Sequence, residues 1–151
     1  MNQNRVLTLS IVFLFFTLSG CDKVKEHFKG HMHDELHAGQ EIVLNNGKKW
    51  TADESAKKHV AAMRQIMKNY QTGLSAMTVE NSNLLRSKLN AEVDTLFATC
   101  TMEGEAHDQL HIYLKGLLEK IAMLESKNER ERSDAFSMIY SGLEKFDNYF
   151  E

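Results

Sequence analysis

The sequence predicts an all-α fold: an up-down-up-down four-helix bundle preceded by a signal peptide, a His-rich tether and a small hairpin. Three observations carry that prediction. None of the 151 residues is proline, which costs roughly 3 kcal/mol inside a helix. The strong helix formers Ala, Leu, Lys, Glu and Met are plentiful. From residue 53 onward, four successive stretches place apolar residues at intervals of three and four, the period of a helix with one buried face. The length suits one domain with a modest core once a leader is removed. With 42% hydrophobic residues, 26% charged residues and a formal net charge of -3, the composition is globular and offers no basic face to nucleic acid.

Residues 1–20 read as a targeting segment. Arg5 gives a short positive region, and residues 6–18 form an almost wholly apolar run that includes Phe13, Phe15 and Phe16. That run is shorter than the about 20 apolar residues a comfortable membrane span needs and has the layout of a signal peptide. It closes on Leu18-Ser19-Gly20-Cys21, which resembles the lipobox of bacterial lipoproteins. The resemblance implies cleavage before Cys21, a diacylglycerol on its sulfur, and a protein held at the membrane outside the cytoplasm, in the periplasmic cell envelope. Asp22 resembles the signal that retains some Gram-negative lipoproteins at the inner membrane.

Lipidation of Cys21 leaves Cys100, the second of two cysteines, without a disulfide partner in the chain. In an oxidising compartment such a thiol is buried, paired with another molecule, or a metal ligand. Residues 21–40 then form a tether carrying His27, His31, His33 and His37, four of the seven histidines. Their spacing lets them cooperate as secondary metal ligands; the alternative is a solvated spacer.

The remaining residues, 41–151, form the predicted domain. Asn45-Asn46-Gly47 is a strong turn signal, because Asn and Gly tolerate positive φ, and it predicts a small hairpin whose Leu44 and Trp50 pack on the end of the bundle. Thr51-Ala52-Asp53-Glu54 reads as a capping box with Thr51 as the cap. The first helix, 53–77, carries the stripe Ala56, His59, Met63, Ile66, Tyr70, Leu74 and Met77. A break at 78–82 leads to a second stripe of Leu85, Leu89, Val93, Leu96 and Cys100. Glu103-Gly104 is a turn, after which Leu110, Leu114, Leu117, Leu118, Ile121 and Leu124 mark a third helix with His107 and His111 on the edge of its apolar face. Asn128 caps a fourth helix whose Ala135, Ile139, Gly142, Leu143, Phe146 and Phe150 face inward, while Glu129, Arg130, Glu131 and Arg132 stay wet.

Short connections return each helix beside its predecessor, so the start of helices one and three and the end of helices two and four share one pole. With a rise of about 1.5 Å per residue, His59 lies about 9 Å into helix one, and His107 and His111 about 5 and 10 Å into helix three. Cys100 ends helix two. The expected metal site is therefore His59, Met63, Cys100, His107 and His111, with Glu103 and Glu105 as outer partners and Phe146 and Tyr149 nearby. Thiolate, thioether and imidazole donors suit copper first and zinc second. The donor set, though not its spacing, is similar to blue-copper ligation.

LNNGKKW, an Asp-led helix with an inward Met63, and a later Cys100 followed by paired His positions together resemble small exported bacterial helical-bundle proteins. That resemblance implies a shared bundle and no catalytic assignment. Two functions remain open: a membrane-anchored metal-binding protein for sequestration, sensing or transfer, and a structural lipoprotein that docks on an envelope protein partner without metal. A thiol redox enzyme lacks a resolving cysteine or nucleophile motif, and no covalent haem attachment motif is present.

Overall fold

Glu54 to Gly73 form α1, Val79 to Thr99 α2, Gly104 to Ala122 α3, and Glu129 to Glu144 α4. A 3-10 turn, Met123–Glu125, precedes α4, and a four-residue α5, Phe146–Tyr149, follows it. These bounds come from a computed structural model of the chain, which describes residues 41–73 and 77–151. The predicted signal peptide, Cys21, the tether histidines His27, His31, His33 and His37, and Leu74 lie outside the described residues. Among the described residues the structure is all-helical, with no strand, and no helix is long and apolar enough to cross a membrane.

Local sequence sets most of the helix ends. The Thr78 hydroxyl accepts the Asn81 amide at the start of α2, and the Asn128 side chain accepts the Arg130 amide at the start of α4, as side-chain caps do. Gly104 has φ 63°, a left-handed conformation that glycine adopts without steric cost, so the chain reverses sharply between α2 and α3. At α1 the cap differs from expectation. Asp53 rather than Thr51 is the cap, its Oδ1 accepting the Ala56 amide at 2.7 Å. Both residues are capping types; Asp53 is selected because its Oδ2 also accepts the amide of Thr101 at 2.6 Å and its hydroxyl at 3.0 Å.

The helices bury one another in a closed circuit, α1 against α2, α2 against α3, α3 against α4, and α4 against α1, with the 3-10 turn contacting α2, α3 and α4. The start of α1 lies beside the end of α2, where the Ser55 and Thr99 hydroxyls are 2.5 Å apart. The buried stripe of α1 is Ala56, Val60, Met63 and Met67, one step round from the predicted line, with Ile66 and Tyr70 at its partly buried edge. Leu85, Leu89, Val93 and Leu96 of α2, Leu110, Leu114, Leu117 and Ile121 of α3, Leu124, and Ala135, Ile139 and Leu143 of α4 complete the core. Each Val, Leu, Ile or Met among them contributes about 1.5–3 kcal/mol on burial.

Arg132 does not stay wet: it is 4% exposed. Its Nε donates to the Met77 carbonyl at 2.6 Å and its Nη1 to the Ser126 carbonyl at 2.8 Å. The guanidinium thus ties the α1–α2 connection to the turn before α4, and those bonds offset the cost of burying its charge.

The expected hairpin is reduced to one pair. Asn45 and Lys48 exchange backbone bonds of 2.9 Å around Asn46 and Gly47, whose φ values are 51° and 84°, and pairing goes no further. Trp50 instead makes a parallel bridge with Phe150. The Trp50 amide donates to Tyr149, Glu151 donates to Trp50, and Ala52 donates to Glu151. The indole packs in the core as expected, its N–H donating to the Val43 carbonyl at 2.7 Å, whereas Leu44 is exposed. In the same core Phe146 and Phe150 stack with centroids 4.7 Å apart, and Tyr113 meets both edge-on.

Candidate metal centre

The five expected ligands are distributed over separate neighbourhoods. His59, on the first turns of α1, is 8% exposed and faces α2, where its Nδ1 lies 2.7 Å from Oε2 of Glu92. Met63, one turn further on, is fully buried in the hydrophobic core and acts as packing.

Cys100 ends α2, its amide donating to the Leu96 carbonyl at 2.8 Å. Its half-buried thiol bonds to the Asp53 carboxylate. Burial pushes the thiol pKa up, the Asp53 charge and the hydrogen bond to it push the same way, and the Met102 amide opposes them. For Asp53 burial raises the pKa, but the amides of Thr101 and Ala56, the Thr101 hydroxyl and the Cys100 thiol together hold it below the usual carboxylate value. The pair rests as a neutral thiol beside an ionised carboxylate, an arrangement that disfavours free thiolate.

His107 and His111 do come together. They stand one turn apart on α3, so both project from one face, and their Nε2 atoms are 2.9 Å apart with the rings edge-on at 83°. Phe97 of α2 packs on His111 with centroids 5.3 Å apart. Without an ion, one ring donates its N–H to the other. The donor set of the pair fits a metal ion as two ligands; the soft sulfur donors expected beside it do not join it.

Among the described residues, no three His, Cys, Asp or Glu side chains form a group able to hold a metal ion. Glu103 and Glu105 are exposed. Phe146 belongs to an aromatic stack with Phe150 in the core, and Tyr149 lines a groove between α3 and α4. Sequence reasoning missed Glu92 and Asp53, the partners that occupy His59 and Cys100. Glu92 carried a usable signal, an acid directly beside the inward stripe at Val93, and Asp53 was visible as a second capping residue. Comparison with protein-family models, curated proteins and solved structures finds no match.

Proposed function

We propose that this protein binds copper outside the cytoplasm, anchored to the membrane through lipid on Cys21. In this reading the helices run up, down, up, down. His107 and His111 are the fixed ligands, and His27, His31, His33 and His37 of the tether capture ions, so that the protein sequesters, senses or hands on the metal. The observation that supports it is the convergence of the two Nε2 atoms to 2.9 Å on α3. Copper is placed before zinc because imidazole nitrogen sites hold Cu(II) more tightly than Zn(II) in the usual order of divalent-ion affinity. Cys100, His59 and Met63 are assigned to structure, since each already has a protein partner or is enclosed by the core.

The test is a Cu(II) titration of the full-length chain followed by electron paramagnetic resonance. A variant with His27, His31, His33 and His37 changed to Gln retains one equivalent with an axial signal and two-imidazole nitrogen coupling. Adding His107→Leu and His111→Leu abolishes it. Equal binding with and without the pair sinks the proposal. Cys21→Ser releases the chain from membranes if the lipid anchor is right.

The second reading, a structural lipoprotein docking on an envelope partner, is favoured by the satisfied state of His59 with Glu92 and of Cys100 with Asp53. It predicts no copper signal from any of these variants.

A further inference from the structure

Two adjoining depressions run along the seam between α3 and α4. One encloses about 420 Å³ and the other about 340 Å³, and both are lined by Lys120, Gly142 and Lys145. They are two basins of one groove, with the two lysines at their junction.

The glycines of this seam are not explained by the fold. Gly116 and Gly142 lie inside helices, where glycine is less stable than alanine. Neither has a positive φ. A Cβ at Gly116 would meet nothing nearer than the Lys120 Nζ at 3.7 Å, and one at Gly142 nothing nearer than a Leu117 methyl at 3.5 Å. Those are ordinary contacts, so close helix packing does not require the missing side chains. Their absence keeps the groove open.

Its chemistry is mixed. Ile112 and Leu117 give the larger basin apolar walls. The lining carries two lysines against one acid, Glu41. The Lys120 ammonium donates to the Gly116 carbonyl at 2.6 Å, which leaves it two further donors. Neither lysine is paired with a carboxylate among the described residues. Two ammonium groups without a paired carboxylate, in excess over the single acid of the lining and beside an apolar channel, are complementary to a molecule with an anionic head and a hydrocarbon tail.

We propose that this groove binds an amphiphilic anion, its carboxylate or phosphate held between Lys120 and Lys145 and its chain lying along Ile112 and Leu117. The test measures binding of dodecanoate, dodecyl phosphate, dodecanol and inorganic phosphate to the full-length chain by calorimetry. Every variant keeps the apolar segment 6–18, so uptake by that segment is common to all. Dodecanoate and dodecyl phosphate bind saturably, and dodecanol and inorganic phosphate at least tenfold more weakly. Lys120→Gln with Lys145→Gln weakens dodecanoate at least tenfold, and Gly116→Leu, which fills the groove while favouring helix, does the same. Lys120→Arg with Lys145→Arg retains binding, and circular dichroism checks that each variant folds. The proposal is overturned if wild type takes up no dodecanoate saturably, if the Gln pair binds it unchanged, or if dodecanol or inorganic phosphate binds as tightly as the amphiphiles.

Discussion

Asp53 receives both the amide and the hydroxyl of Thr101, at 2.6 and 3.0 Å, across 48 residues of sequence. One carboxylate therefore caps α1 and fixes the loop between α2 and α3. Asp53→Ala should cost about 1.5–3 kcal/mol, from a lost cap and an unpaired loop amide, and Asp53→Asn about 1 kcal/mol, measured by urea unfolding. The folded pKa lies below the ordinary value of 3.8, so the ionised form is the stabilising one. The deficit of Asp53→Asn should be constant above about pH 5 and shrink as pH falls through and below the ordinary carboxylate value.

The same carboxylate quiets Cys100. Because burial is the leading cause of its raised pKa and Asp53 a lesser one, alkylation by a neutral reagent at pH 8 should be slower than for a free thiol. The rate should climb only above the ordinary thiol pKa. Asp53→Asn should lower that midpoint part of the way, and a midpoint unmoved by the substitution would rule out the contact.

His59 and Glu92 share a 2.7 Å bond at the α1–α2 seam, with side chains 10% and 29% exposed. His59→Leu and Glu92→Leu should each destabilise the fold by about 1–3 kcal/mol, since each leaves a partner unsatisfied. The double variant should cost less than their sum, giving a coupling of at least about 0.5 kcal/mol. Additive losses would mean that the two side chains act separately.

Arg132→Ala should be among the most damaging single changes outside the apolar core, at about 2–4 kcal/mol, because it strips donors from the Met77 and Ser126 carbonyls and leaves a void. Arg132→Lys should recover only part of this, since one ammonium cannot reproduce the geometry of the guanidinium fork. Thermal unfolding of the two variants side by side checks both statements.

Phe150→Ala should cost about 3–5 kcal/mol and change the emission of Trp50, the one tryptophan in the chain, because it removes a ring from the core cluster that also holds the indole. An unchanged spectrum would place Trp50 elsewhere.

What could be read in advance follows the range of the forces. The cap at Asn128, the turn at Asn46-Gly47 and the stripes of α2, α3 and α4 depend on residues within a turn or two of one another, and all are legible in the sequence, whereas α2 begins at Val79, inside the break expected at 78–82. Asp53 as the cap chosen over Thr51, the burial of Arg132 and the pairing of Trp50 with Phe150 are fixed by partners 48, 55 and 100 residues away, and no local pattern decides them. The candidate site divides along the same line. Depth along an axis follows from counting residues, so His59, Cys100, His107 and His111 could be assigned similar heights. Whether side chains meet depends on rotation about each axis. That rotation turns His59 toward Glu92 and Cys100 toward Asp53, leaving only the pair that shares a helix face.

The bridge between Trp50 and Phe150 has a mechanical consequence. Backbone approaching the helices and backbone departing from them run side by side in the same direction, so residues 50–150 form a cassette with adjacent attachment points. Grafted into an exposed loop of another protein, such a cassette would ask little closure entropy of its host. Tension applied across the two attachment points would load the short 50–52 and 149–151 pairing before any helix was pulled apart.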